Sequence, residues 1–159
     1  MLFRSGIFDI FVVLTRLSNL SNAAPFGSTA STAQNGLYTS FGVDGNLNFI
    51  ICTSAPGVPL VNATPALPAA IGVPTKFQFR GTGTALQSSG AFVNYQTANY
   101  TGAVGVGNAT SAFNVGSLSA GAPGYLFNGD VYEFLIYDRN LTAAEVAQMR
   151  AYFLQRENL

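Results

Sequence analysis

Histidine and tryptophan are absent from this sequence of 159 residues, cysteine occurs once, and charged side chains make up 9%, against a usual level of about 25%. Each shortage excludes something. Without histidine there is no His-based general acid–base pair, no Ser-His-Asp triad and little to hold a transition metal. With one cysteine, Cys52, no disulfide can form within the chain. Cys52 lies in the apolar run "LNFIICT" and reads as a buried structural thiol rather than a nucleophile, since nothing is present to activate it. Lys+Arg and Asp+Glu balance at 7 each, so there is no basic stripe for nucleic acid and no acidic tail. So little charge leaves two readings: a surface of Ser, Thr, Asn and Gln, or one covered by other chains. Long apolar runs are also missing; none reaches the length of about 18 residues that a membrane-spanning helix needs.

Apolar residues are plentiful, at 48%, enough for one core in one domain. The opening "MLFRSGIFDIFVVLTRLSNLSNAA" admits a leader-peptide reading, with Arg4, a short apolar run and small residues at Ser21-Asn22-Ala23. Asp9 and Arg16 oppose it. The run reads better as a strand buried on both faces, with Phe8, Ile10, Val12 and Leu14 on one side and Ile7, Phe11 and Val13 on the other. Further on, Asp44-Gly45 stands between two alternating runs and predicts a hairpin with a type I′ turn. The segment "APGVPLVNATPALPAAIGVPT" holds five of the seven prolines and reads as an extended loop with an edge strand near Pro59–Asn62. "KFQFR" alternates, with Phe77 and Phe79 inward and Lys76, Gln78 and Arg80 outward. "GAFVNYQTANY" predicts another strand. The Gly- and Ala-rich stretch after it reads as short strands through Val104, Val106, Phe113 and Val115. Together these predict about six to nine short strands in an antiparallel sandwich, an all-β fold with one terminal helix.

That helix is predicted over 142–156. Thr142 caps it and Glu145 completes a capping box, while Leu141 and Val146 form a hydrophobic staple. Its apolar stripe is Val146, Met149 and Phe153, with Ala143 above, and Glu145, Gln148 and Gln155 face away. Glu145 therefore reads as a cap, not a reactive group.

The closing segment "FNGDVYEFLIYDRNLTAAEVAQMRAYF" resembles that of concanavalin A-like, laminin G-like jelly-roll domains. There a Gly-Asp/Lys-Ile-x-Glu strand leads through a Tyr-Asn/Asp-Arg-x-Leu-Ser turn to a short helix. Gly129, Val131, Glu133, Ile136, Tyr137, Arg139, Leu141, Thr142 and Glu145 fill those places. "AFNVG" (112–116) and "FDIFVVL" (8–14) resemble two earlier strands of the same fold, in the right order. The resemblance implies a two-sheet jelly roll spanning the whole chain, with 127–139 as closing strand and turn. Two departures stand out. Strands that usually precede "FDIFVVL" are missing, which implies an open sheet edge near the first and last strands, or one filled by another chain. The mid-domain Val-Asn-Gly turn is represented only by "FVNYQ".

Some such jelly rolls are glucanases, whose active strand carries Glu-x-Asp-x-x-Glu; that motif is absent. Asp130 and Glu133 are three apart on a strand and are expected on opposite faces, unable to act together. Glu133 reads as a structural carboxylate bonded near the helix or turn. No catalytic residue and no enzymatic activity are expected. Laminin G-like domains often hold calcium at the rim, but Asp44, Asp130 and Asp138 do not cluster and read as turn and strand-end residues. No metal or cofactor is expected. A lectin-like site would use Tyr95, Tyr100 or Tyr125 as aromatic platforms. Asn19, Asn62, Asn99, Asn108 and Asn140 each begin an N-x-Ser/Thr triplet, a frequency that chance explains.

The resemblance extends to phage structural proteins, and the leading expectation is a non-catalytic virion component, a capsid decoration or tail-associated protein. It would act through protein–protein contacts, as a homo-oligomer or with other virion proteins. The alternative is a carbohydrate-binding, lectin-like module of a secreted or surface protein. Neither nucleic acid nor membrane is expected as a partner.

Overall fold

A strand of β-branched and aromatic residues with no polar face has to be covered on both sides, and "IFDIFVVLTR" is so covered. In the computed structural model of the protein, Phe8–Val12 and Leu14–Arg16 are all buried. The structure describes residues 7–19, 23–27, 36–42, 45–52, 54–55, 58–59, 62–63, 67–83, 86–90, 96–97, 113–117 and 126–155.

In chain order the strands are β1 (Ile7–Arg16), β2 (Phe26–Gly27), β3 (Gly36–Phe41), β4 (Asn46–Cys52), β5 (Ser54–Ala55) and β6 (Val58–Pro59). They continue as β7 (Asn62–Ala63), β8 (Leu67–Pro68), β9 (Thr75–Thr82), β10 (Leu86–Gly90), β11 (Gln96–Thr97), β12 (Asn114–Val115) and β13 (Gly129–Tyr137). The helix α1 (Ala143–Gln155) follows. One sheet has the order β11-β10-β9-β1-β13. The other runs β12-β2-β3-β4-β7, with β8 also paired to β4, and β5–β6 form a separate ribbon. All these pairings are antiparallel. The Pro-rich segment thus contributes more pairing than one edge strand, all of it in two-residue pieces.

The two sheets face each other across one apolar layer. Phe8, Ile10, Val12, Leu14, Phe77 and Phe79 come from the first sheet; Phe26, Phe41, Leu47 and Leu67 come from the second. Each such side chain contributes about 1.5–3 kcal/mol when fully buried. The other face of β1 packs on α1, where Phe11 stacks on Phe153 at 5.9 Å and joins Leu141 and Val146. Ala143, expected on this stripe, is exposed instead, and Met149 is partly buried against the cluster.

The hairpin between β3 and β4 forms where expected, but its turn differs. The closing bond runs from Gly45 N–H to the Gly42 carbonyl, and Gly42 N–H donates to the Asn46 carbonyl. Gly45, at φ 76°, therefore stands after the two central turn positions, the place of a bulge glycine, rather than being the second of them. Asp44 lies outside the described residues.

The register of β1 with β13 slips between Val13 and Leu14: Val13 faces Glu133, and Leu14 faces Val131. Tyr132 is the extra residue of a β-bulge. Side-chain alternation reverses there, so Val131, Phe134 and Ile136 all reach the inter-sheet core. Among the described residues β13 has a strand on one side only.

The helix start matches its sequence signal. Thr142 N–H donates to Glu145 Oε2 at 2.8 Å, and Glu145 N–H donates to Thr142 Oγ1 at 3.3 Å. Loss of the Thr142 hydroxyl should cost about 1 kcal/mol. The Arg139 guanidinium, followed by the Thr142 N–H and hydroxyl, holds the Glu145 carboxyl down to about 2. The folded value lies below the unfolded one of 4.5. The cap's electrostatic contribution is therefore complete above the unfolded value and is lost as pH falls through the folded one. Acid titration of stability should show this loss in the native protein and not in Glu145→Gln; equal acid profiles for the two proteins would refute it.

Candidate functional site

Asp9 is the one charged residue inside the apolar run of β1, and it is fully buried. A buried carboxylate needs partners. Arg80 of β9 supplies a two-point ion pair, Nε to Oδ1 at 2.9 Å and Nη2 to Oδ2 at 2.7 Å. Gln78 donates from Nε2 at 3.2 Å, and the backbone N–H of Leu141 donates at 2.8 Å. Arg80 also donates to the Leu141 carbonyl, and Arg150 of α1 donates to Gln78 Oε1. Asn140 spans the ends of β1 and β9, donating to the carbonyls of Phe8 and Gly81. Its amide is thereby committed to the fold, although it begins an N-x-Thr triplet. This network fastens the closing turn and the helix onto the sheet, and it is saturated. The outward placement expected for Gln78 and Arg80 is corrected: that face lies under α1, and Gln78 has no exposure.

Glu133 accepts the Tyr152 hydroxyl at 2.6 Å, which joins β13 to the end of the helix. The expectation that Asp130 and Glu133 point to opposite faces is overturned by the bulge. Asp130 pairs with Thr15 and Glu133 with Val13, two β1 residues on one face, so both carboxylates lie on that face. Asp130 is exposed at the start of β13.

Of the acidic residues read as turn and strand-end groups, Asp44 lies outside the described residues, and Asp130 and Asp138 do not converge. Asp130 and Asp138 stand at opposite ends of β13, about 25 Å apart at about 3.3 Å per residue, so they cannot ligate one ion. Among the described residues no three acidic or thiol groups form a metal-binding set. The three tyrosines Tyr95, Tyr100 and Tyr125 lie outside the described residues, so no aromatic platform can be placed from them.

A different polar group, Arg16, read in the sequence only as a charge that opposes a leader peptide, stands at the sandwich end where β1 stops. Arg16 follows Phe8, Ile10, Val12 and Leu14 on the core-facing side, and its side chain crosses to the second sheet. Its Nε donates to the Ala69 carbonyl at 2.5 Å and Nη1 to Asn19 Oδ1 at 2.5 Å. The guanidinium carbon lies 5.6 Å from the centre of the Phe41 ring, which itself stacks on Phe127 at 5.9 Å. Gly45 packs so closely that a Cβ there would collide with the guanidinium. Arg16 is only 9% exposed, and the two ion pairs recorded among the described residues do not involve it. The signal was available: an arginine ending an apolar strand in a chain so poor in charge.

Comparison with known proteins matches the architecture. No family model matches the chain, and no curated protein matches it. Solved structures do. The CBM40 domain of the Ruminococcus gnavus IT-sialidase, bound to α2,3-sialyllactose, superposes with a TM-score of 0.68 at 10% identity, covering 91% of this chain and 82% of that one. The heptameric SAP-like pentraxin of Limulus polyphemus gives 0.58 at 12% identity, over 91% and 69% of the two chains. Mouse laminin α1 domains LG4-5 give 0.56 at 15% identity, over 85% and 38%.

Proposed function

We propose that this chain, which has the concanavalin A-like, laminin G-like jelly-roll fold, is a non-catalytic carbohydrate-binding module of a secreted or cell-surface protein. The observation that carries this reading is the likeness over 91% of the chain to a module holding sialyllactose. The chemistry agrees with it. The sequence lacks histidine, and the Glu133 carboxylate accepts the Tyr152 hydroxyl. Binding a sugar without transforming it needs only a fixed set of donors and an apolar platform, both within the means of such a chain.

The virion reading suggested by the sequence gains no support from the neighbours named above, none of which is a virion protein. Strand addition along β13 is also restricted: the Tyr132 bulge interrupts the ladder, and Asp130 and Glu133 place charge on the strand.

The test is a glycan array followed by titration calorimetry with the intact chain. A saturable signal from at least one glycan class, with no turnover of that glycan, is the expected result. Absence of binding to every glycan at millimolar concentration would remove the proposal.

A further inference from the structure

Four of the eight large apolar side chains that stand exposed among the described residues gather where β1 stops: Leu17 at 51%, Ile71 at 47%, Val73 at 50% and Leu126 at 57%. Backbone bonds set them side by side. Ile71 bridges to Arg16, and Gly72 N–H donates to the Arg16 carbonyl. On the other flank, Leu17 N–H donates to the carbonyl of Asn128, two residues from Leu126. Leu17 is thus the middle of a row. The turn beside it is open, since a Cβ at Gly72 would meet nothing within 4 Å. Single exposed apolar side chains need no explanation, but an adjoining set marks a contact surface.

The surroundings of the row decide what fits it. The stretches 17–19, 69–74 and 126–129 contain no charged residue, no tyrosine and no tryptophan. Arg16 is turned inward onto the Ala69 carbonyl and Asn19, and Asp130 stands at the margin, on the face shared with α1. The ion pairs lie at the opposite end, between Asp9 and Arg80 and between Arg139 and Glu145. A lipid surface is held by Lys and Arg at the headgroups and by Trp or Tyr at the interface, and these stretches offer none. A charged partner would find no counter-charge. A second copy of the same face does fit. Across a two-fold axis a patch meets itself, an arrangement that charged side chains oppose and an uncharged apolar row permits.

We propose that two copies of this chain associate end to end through this row, about a two-fold axis that passes beside Leu17. The N–H groups of Leu17, Gly72, Val73 and Phe127 are already bonded within the chain. Closing a second copy over them strands none of these donors and orders little backbone. A chain with 9% charged residues also has little charge to hold its copies apart. The contact does not depend on carbohydrate binding.

Sedimentation velocity of the full chain, from micromolar to millimolar concentration, tests this. The expected result is a monomer passing to a dimer and no further. Leu17→Asp should weaken the association about a hundredfold or more, because the substitution enters the contact twice and sets two carboxylates face to face. Leu17→Lys should do the same. A mixture of the two variants should recover the dimer, as nonspecific apolar adhesion would not. Circular dichroism checks that both fold, and Val73→Asp, at another exposed position of the row, serves if they do not. Leu154→Lys, an exposed apolar position on α1, should leave the association unchanged. A monomer at every concentration would overturn the proposal. So would association that survives Leu17→Asp or Val73→Asp, a mixture no better than either Leu17 variant alone, or a loss in Leu154→Lys equal to that in Leu17→Asp. A monomer that floats with phosphatidylcholine vesicles would also overturn it, with lipid as the cover instead.

Discussion

Asp9→Ala should destabilise the domain by about 3–5 kcal/mol, the usual cost of stripping one partner from a buried ion pair. The carboxylate is fully buried and accepts from Arg80, Gln78 and the Leu141 backbone. Its removal leaves the Arg80 guanidinium, only 17% exposed, without its counter-charge, and takes the acceptor from a backbone N–H at the entrance to the helix. Against a typical total of about 5–15 kcal/mol, that is a large fraction of what holds a domain folded. Urea denaturation monitored by tyrosine fluorescence measures it. Asp9→Ala combined with Arg80→Met should recover part of the loss, because the stranded charge goes with its partner. A single variant within about 1 kcal/mol of the native protein would mean that the network is ornamental.

Phe153→Ala should cost about 3–5 kcal/mol and should act on the helix before the sheets. Phe153 is 1% exposed, stacks on Phe11 with an interplanar angle of 16° and takes the edge of Tyr152 at 5.3 Å. A short helix gains little from its own propensity and depends on docking. Hydrogen exchange should therefore speed up across Ala143–Gln155, while the amides of β1 that pair with β9 stay protected. Uniform acceleration over the whole chain would show that helix and sheets unfold as one unit instead.

The features legible in the sequence were those written by local rules. β1 was readable because its apolar residues occupy both alternations, and α1 because Thr142 and Glu145 form a reciprocal cap. What local rules could not reach was the partner of each polar group. Asp9 looked like an obstacle to a leader peptide; it is a hub because Leu141, 132 residues away, returns to it. Gln78 and Arg80 obeyed alternation correctly, yet the face they were assigned to solvent is roofed by the helix. Asp130 and Glu133 were placed by a period of two, and a single extra residue, Tyr132, reversed the phase. Arg16 is legible only as a charge that opposes a leader peptide, because a terminal arginine on a strand usually projects into water. Here the gap between the sheets takes it in. The candidate tyrosines Tyr95, Tyr100 and Tyr125 lie outside the described residues.

The position of β1 between β9 and β13 has a consequence for the order of events on the ribosome. The strongly apolar strand β1 is made before β9 and long before β13, and the helix that roofs its other face comes later still. At about 5–20 residues per second, of the order of ten seconds separates the emergence of Arg16 from that of Gly129. Throughout that interval β1 has β9 at best on one side, while Phe11 and the carboxylate of Asp9 wait for a cover not yet synthesised. Sheet closure is thus a late, long-range event, the kind that raises contact order and slows folding. A charge within an apolar run opposes its pairing with like segments, and Asp9 puts one inside β1 for the whole of that interval.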